Sequence, residues 1–161
     1  MNETQHRLER CGMYKKILVP VDGSEASLQA VDKCLELLKD ETASKVVILT
    51  VTGLPLQLRA YEEEKGEAYS QMKALLIKDA RDLLDETEKR FANCPVPVET
   101  KLIWGELPYA IVQEAREGEY DLIIIGSRGL GGVNNLILGS VGLHVVQRAP
   151  CTVLVTRQRG Q

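Results

Sequence analysis

Five glycines fall in GSRGLGGVNNLILGS, the stretch from Gly126 to Ser140 that follows the apolar run Leu122-Ile123-Ile124-Ile125. Each gives up more backbone entropy on folding than alanine does, roughly 0.5–1 kcal/mol inside a regular element, so this density needs a chemical reason. The chemistry such a stretch supports is anion binding. A glycine at a strand exit leaves the backbone open to a close ligand, and a second can turn with φ > 0 to aim successive N–H groups at an anion. A Gly-Ser pair opening a helix adds free N–H groups, the helix dipole and a hydroxyl. Gly126, Gly129 and Gly139-Ser140 occupy those three positions, while Gly131 and Gly132 fall inside the nine-residue spacer. A hydrogen bond to a charged group contributes roughly 1.5–3 kcal/mol net. Three or four of them approach the ~8 kcal/mol of a micromolar ligand before association costs.

Other chemistries find less support. A Walker loop needs Gly-Lys before Ser or Thr, and the chain has no Gly-Lys pair. The dinucleotide pattern begins at Gly129-Leu130-Gly131 but ends on Asn134, and the acidic residue expected after the next strand is missing. His6 and His144 belong to no Ser/His/Asp arrangement, and His144 reads as a surface residue beside Val141 and Val145. Cys11, Cys34, Cys94 and Cys151 form neither a CxxC pair nor a zinc cluster, and Cys34 and Cys151 read as small core hydrophobes. Glu62 to Glu64 read as a solvated loop face. With 20 basic and 23 acidic residues, a net charge of −3, one Phe and one Trp, the chain predicts neither a basic nucleic-acid surface nor a base-stacking platform.

The elements that must position the glycine stretch follow from patterning. Lys15 to Val21 reads as a buried strand ending at Asp22-Gly23-Ser24, with Ser24 as N-cap of a helix carrying Ala30, Val31, Cys34, Leu35 and Leu38. Lys45 to Val51 is a second strand. A long helix follows with Met72, Leu75, Leu76, Leu83, Leu84 and Phe91 as one apolar stripe, stopping before Pro95. Val96 to Ile103 is a third strand, pushed to a sheet edge by Pro97. A helix opened near Pro108 and closed at Gly118, a strand over Asp121 to Ile125, a short helix with Leu138, Val141, Val145 and Val146, and a strand over Cys151 to Thr156 complete the chain. Strands alternating with helices predict right-handed βαβ crossovers and a mainly parallel sheet covered on both faces. Ligands bind such sheets beyond the carboxyl ends of the strands, at the topological switch point. The polar N-terminus and the lack of a membrane-length apolar run predict a cytoplasmic protein.

Read together, these segments resemble the universal stress protein family, and within it the ATP-binding branch. Gly126-x2-Gly129-x9-Gly139-Ser140 is similar to that branch's signature. Ile17 to Ser24, the strand ending in Thr50-Val51, and Ala149 to Val155 agree as well. The resemblance implies a single α/β domain over 14–157, Rossmann-like, with strand order 3-2-1-4-5 and short tails at 1–13 and 158–161. It implies ATP with Mg2+ or Mn2+. Val51 would meet adenine through its backbone, and Pro20 and Val21 would floor the pocket. Asp22 would lie near ribose, phosphates and metal, and Arg128 would reach a phosphate oxygen. Ser127 and Val141, beside the signature glycines, complete the implied site. It also implies a homodimer through the last strand, Val153, Leu154 and Val155, and a nucleotide-dependent stress or regulatory module rather than an enzyme. The alternative is a slow ATP-hydrolysing or nucleotide-transferring enzyme on the same fold.

Overall fold

The computed structural model describes residues 13–39, 43–55, 58–59, 66–128 and 138–157. The strands are β1 (Tyr14–Pro20), β2 (Ala43–Thr52), β3 (Val98–Trp104), β4 (Leu122–Gly126) and β5 (Thr152–Thr156). The helices are α1 (Glu25–Leu38), α2 (Glu67–Lys89), α3 (Leu107–Glu117) and α4 (Ser140–Arg148). The five strands are parallel, as the strand–helix alternation predicts, and ordered β3-β2-β1-β4-β5, as the family resemblance implies. β3 lies at an edge, and Pro97 immediately precedes it, outside the strand.

Strand side chains alternate between two cores because successive Cβ atoms point to opposite sheet faces. Ile17, Val19, Val46, Ile48, Leu122 and Ile124 pack with Val31, Cys34 and Leu38 of α1 and Leu84 of α2. Leu18, Val47, Leu49, Ile123 and Ile125 pack with Ile111 and Ala115 of α3 and Val145 of α4. Burial on both faces explains why β1, β2 and β4 read as apolar runs. The register between β1 and β4 is locked at its lower end by Asp121, whose carboxylate accepts from the backbone N–H groups of Lys15 (2.7 Å) and Lys16 (3.0 Å).

One sequence expectation changes. The apolar stripe of α2 is buried only in its second half, at Ala80 and Leu84, while Met72 and Leu75 are 40% and 59% exposed. Phe91 is buried but lies beyond the helix end. α3 closes at Gly118 as expected, but Gly118 keeps φ −84 and it is Glu119 that takes the left-handed φ of 52. Gly118 is glycine for another reason: a Cβ there would fall 2.2 Å from the Tyr120 ring.

Candidate functional site

β1 is flanked by β2 on one side and β4 on the other, so the crossovers leave it in opposite directions and open a crevice beyond the ends of β1 and β4. The first wall is the turn after β1. Val21 is fixed to β2 by its N–H to the Leu49 carbonyl (2.8 Å) and by the Thr50 hydroxyl donating to its own carbonyl (3.2 Å). Asp22 follows, half-buried, with Oδ1 accepting from the Ser24 N–H at 2.9 Å. Gly23 takes φ +81, a conformation that favours glycine. Ser24 then caps α1, its Oγ accepting from the Ser27 N–H (3.2 Å).

The second wall is the exit of β4. Ser127 is buried, and its N–H donates to the Thr156 carbonyl of β5 (2.8 Å). Its carbonyl accepts from the Gly139 N–H at 2.7 Å, which draws the start of α4 against the strand exit. Gly139 is the N-cap of α4 and Ser140 its exposed first residue. The cap position therefore carries no side chain that would compete with a ligand for the helix terminus. The Ser24 hydroxyl reaches across to the Arg128 carbonyl at 3.4 Å and joins the two walls.

The structure thus brings together Pro20, Val21 and Asp22 at the end of β1 and its turn, Ser127 and Arg128 at the exit of β4, and Gly139, Ser140 and Val141 at the start of α4. Val51 sits at the end of β2, paired with Ile103 of β3. It lies about 10 Å from the β4 exit, two strand spacings away. Gly129 lies outside the described residues, as do Gly131, Gly132 and Glu62 to Glu64. Gly126 is the correction. Its missing Cβ admits the first turn of α1 rather than a ligand, because a Cβ would fall 2.5 Å from the Ala26 carbonyl carbon and oxygen and 2.9 Å from the Ser27 nitrogen. His144 is also corrected. Its ring stacks edge-on against Tyr109 at 4.6 Å, with Nε2 buried and unpartnered, so it is not a solvated surface residue. Val153, Leu154 and Val155 turn their side chains into the two cores, and what β5 presents outward is its backbone edge.

Sequence reading missed Ser24's bridge and the rim beyond Val51. There Gly53 and Gly105 approach so closely that a Cβ on Gly53 would meet the Gly105 carbonyl oxygen at 2.6 Å. Next to them Trp104 pairs with Thr52, and the Lys73 ammonium lies 4.9 Å from its ring centroid. The only Trp in the chain, at a strand end, was the available signal. A separate cavity of about 230 Å³ is lined by Lys16, Glu99, Lys101, Glu114 and Tyr120. Its buried carboxylate is satisfied internally, since Lys101 (2.6 Å) and Tyr120 (2.9 Å) both donate to Glu114.

The profile of the Universal stress protein family matches residues 13–157. The universal stress protein YxiE of Bacillus subtilis is 30% identical over 152 residues, spanning 90% of this chain and all of that protein. Among solved structures, that of hypothetical protein MJ0577 superposes with a TM-score of 0.80 at 28% identity, covering 92% of this chain and 99% of that one. A universal stress protein in complex with cAMP superposes with a TM-score of 0.65 at 25% identity, covering 90% and 98%. In the described residues no helix is long and apolar enough to cross a membrane.

Proposed function

The chain belongs to the universal stress protein family, and on that premise we propose that it is an adenine-nucleotide-binding regulatory module that takes ATP in the crevice between β1 and β4 and works as a homodimer. The observation that carries this reading is the 2.7 Å hydrogen bond from Gly139 to Ser127. It sets a helix N-terminus, with its half-charge of dipole, at the strand exit that faces Asp22. In this reading the phosphates lie between Asp22, the Ser127–Arg128 backbone, Gly129 and the Gly139–Val141 turn. The base lies against the backbone of Val51, with Pro20 and Val21 beneath. The solved relative that holds cAMP supports the class of ligand.

A divalent cation fits this donor set only as a companion of the phosphates. Among the described residues no cluster of three or more His, Cys, Asp or Glu could hold a metal alone. Mg2+ or Mn2+ is commonly held by one carboxylate with phosphate oxygens and water, and Asp22, half-buried at the crevice, is the carboxylate placed for it. The ion would neutralise phosphate charge, while the chain's own groups orient the nucleotide. The proposed role is binding, with any turnover slow.

The dimer reading rests on β5. The strand TVLVT is uncharged along its length, whereas β3 at the other edge carries Glu99 and Lys101. Charges on an edge oppose pairing, and an uncharged edge invites it. On α4, Leu143 and Val146 are 48% and 46% exposed. Helical spacing turns them away from the side that His144 shows to α3.

Protein purified without added nucleotide and then denatured should release adenine nucleotide at near-stoichiometric amounts, identified by chromatography, and Ser140→Ala should lower that occupancy. Light scattering of the same preparation should give twice the chain mass at micromolar concentration. An empty protein that also fails to bind added ATP with magnesium would overturn the nucleotide reading. A monomer mass would overturn the dimer, and rapid release of phosphate from labelled ATP would replace the binding role with a hydrolytic one.

A further inference from the structure

We propose that the first turn of α1, Ser24 to Ser27, is a spacer that sets the separation of the two crevice walls, with Ser24 and Gly126 as its positioning residues. The role rests on the nucleotide reading above and extends it to groups that need not touch the ligand. On the β1 side, the turn is tied by the Asp22 carboxylate, which accepts from the Ser24 N–H (2.9 Å), and by the Ser27 hydroxyl, which lies 3.4 Å from the Asp22 nitrogen. On the β4 side it meets Gly126 in direct backbone contact, with no room for a Cβ between Gly126 and Ala26. The Ser24 hydroxyl adds a tie to the Arg128 carbonyl.

Ser24 therefore does two separable jobs with one oxygen. Its lone pair caps α1 through the Ser27 N–H, and its proton goes to Arg128, the residue with which the chain leaves β4. Capping is a helix matter, and glycine substitutes for it at little loss. Donation to Arg128 is a matter between the walls, and only a hydroxyl in the same place supplies it. With that proton gone, the exit of β4 is no longer held at a fixed distance from Asp22. A ligand spanning both walls loses by this, and a ligand resting on one wall does not. ATP bridges Asp22 and the start of α4 through its phosphates, while adenosine has none.

The test compares ATP and adenosine binding by calorimetry across Ser24→Gly, Ser24→Ala and Ser24→Thr. Glycine and alanine should weaken ATP about five- to tenfold, the range for one ordinary neutral hydrogen bond, and leave adenosine within about twofold. Threonine, which keeps both lone pair and proton, should restore ATP affinity. Gly126→Ala should weaken ATP in the same selective way. If it does not fold, the Ser24 series decides alone. Without ligand, amide exchange in the 122–128 segment should rise in Ser24→Ala and stay at the wild-type level in Ser24→Thr. Unchanged ATP affinity in Ser24→Ala, or equal losses for ATP and adenosine, would overturn the spacer role. A wild-type chain that binds neither ligand would remove the nucleotide reading and this role with it. Wild-type binding that ignores Ser24→Ala would remove this role only.

Discussion

At the scale of single residues, two glycines that look equivalent in the sequence do different physical work. Gly126 is in van der Waals conflict with any side chain, since its Cβ would fall 2.5 Å from backbone atoms of Ala26 that cannot rotate away. Gly139 has φ −69, and its Cβ would meet Ser127 and Arg128 at an ordinary 3.5–3.6 Å. Gly126→Ala should therefore lower stability by about 1–3 kcal/mol or more, the cost of overpacking. Gly139→Ala should cost no more than about 1 kcal/mol, the loss of a modest cap residue. Urea unfolding of the two variants checks the order, and equal losses would show that neither position is limited by packing. The sequence showed where both glycines stand but not what approaches them. Spacing along the chain reports the phase of turns and strand ends, whereas the neighbour of Gly126 comes from residue 26. The same limit hid Ser24's second bond. Its capping partner is three residues away and legible, and its partner at Arg128 is 104 residues away and is not.

At the scale of elements, the family resemblance implied the strand order, while the helix count and parallel pairing were legible because periodicity marks each element and crossover handedness leaves few arrangements. The buried extent of α2 was not. Its 23 residues span about 35 Å at 1.5 Å per residue. Only Ala80, Leu84 and Thr87 along it are buried, so the first half of the helix touches the sheet without burying a side chain fully. An apolar stripe records which side of a helix faces inward, not how far along its axis the partner surface extends. Met72→Gln and Leu75→Gln should accordingly shift stability by no more than about 0.5 kcal/mol, as surface changes do. Leu84→Ala should cost about 2–5 kcal/mol, as core truncations do. Urea midpoints separate the two outcomes, and a large loss at Leu75 would mean that the first half of α2 is covered in solution. The end of α3 teaches a related point. Gly118 was legible as the stop, but neither the left-handed turn at Glu119 nor the Tyr120 ring packed where a Gly118 Cβ would stand was.

At the scale of the whole molecule, one sheet serves two cores, and each holds an acidic proton that burial keeps in place. In the core beneath α1 and α2, burial pushes the Cys34 thiol up to about 12 from an ordinary value near 9, and the charge of Cys94 adds to it. In the core beneath α3 and α4, the Tyr120 hydroxyl is raised above its ordinary 10, first by burial, then by its hydrogen bond to Glu114 and that carboxylate's charge. Cys151 moves the same way, burial again coming first. For each group the folded value lies above the unfolded one. The stabilisation is therefore complete at neutral pH and is lost as pH rises, because the unfolded chain sheds protons that the fold retains. The loss begins near pH 9 with the cysteines and steepens near pH 10 with the tyrosine. Both cores share β1, β2 and β4, so ionisation in either weakens the same cooperative unit. The urea midpoint should be level around neutral pH and fall progressively above about pH 9. Cys34→Ala should soften the earlier part of the fall. Tyr120→Phe should soften the later part, at the cost of leaving one Glu114 oxygen without its donor. A midpoint that stays level to about pH 11 in the wild-type chain would show that these protons are not held by the folded core.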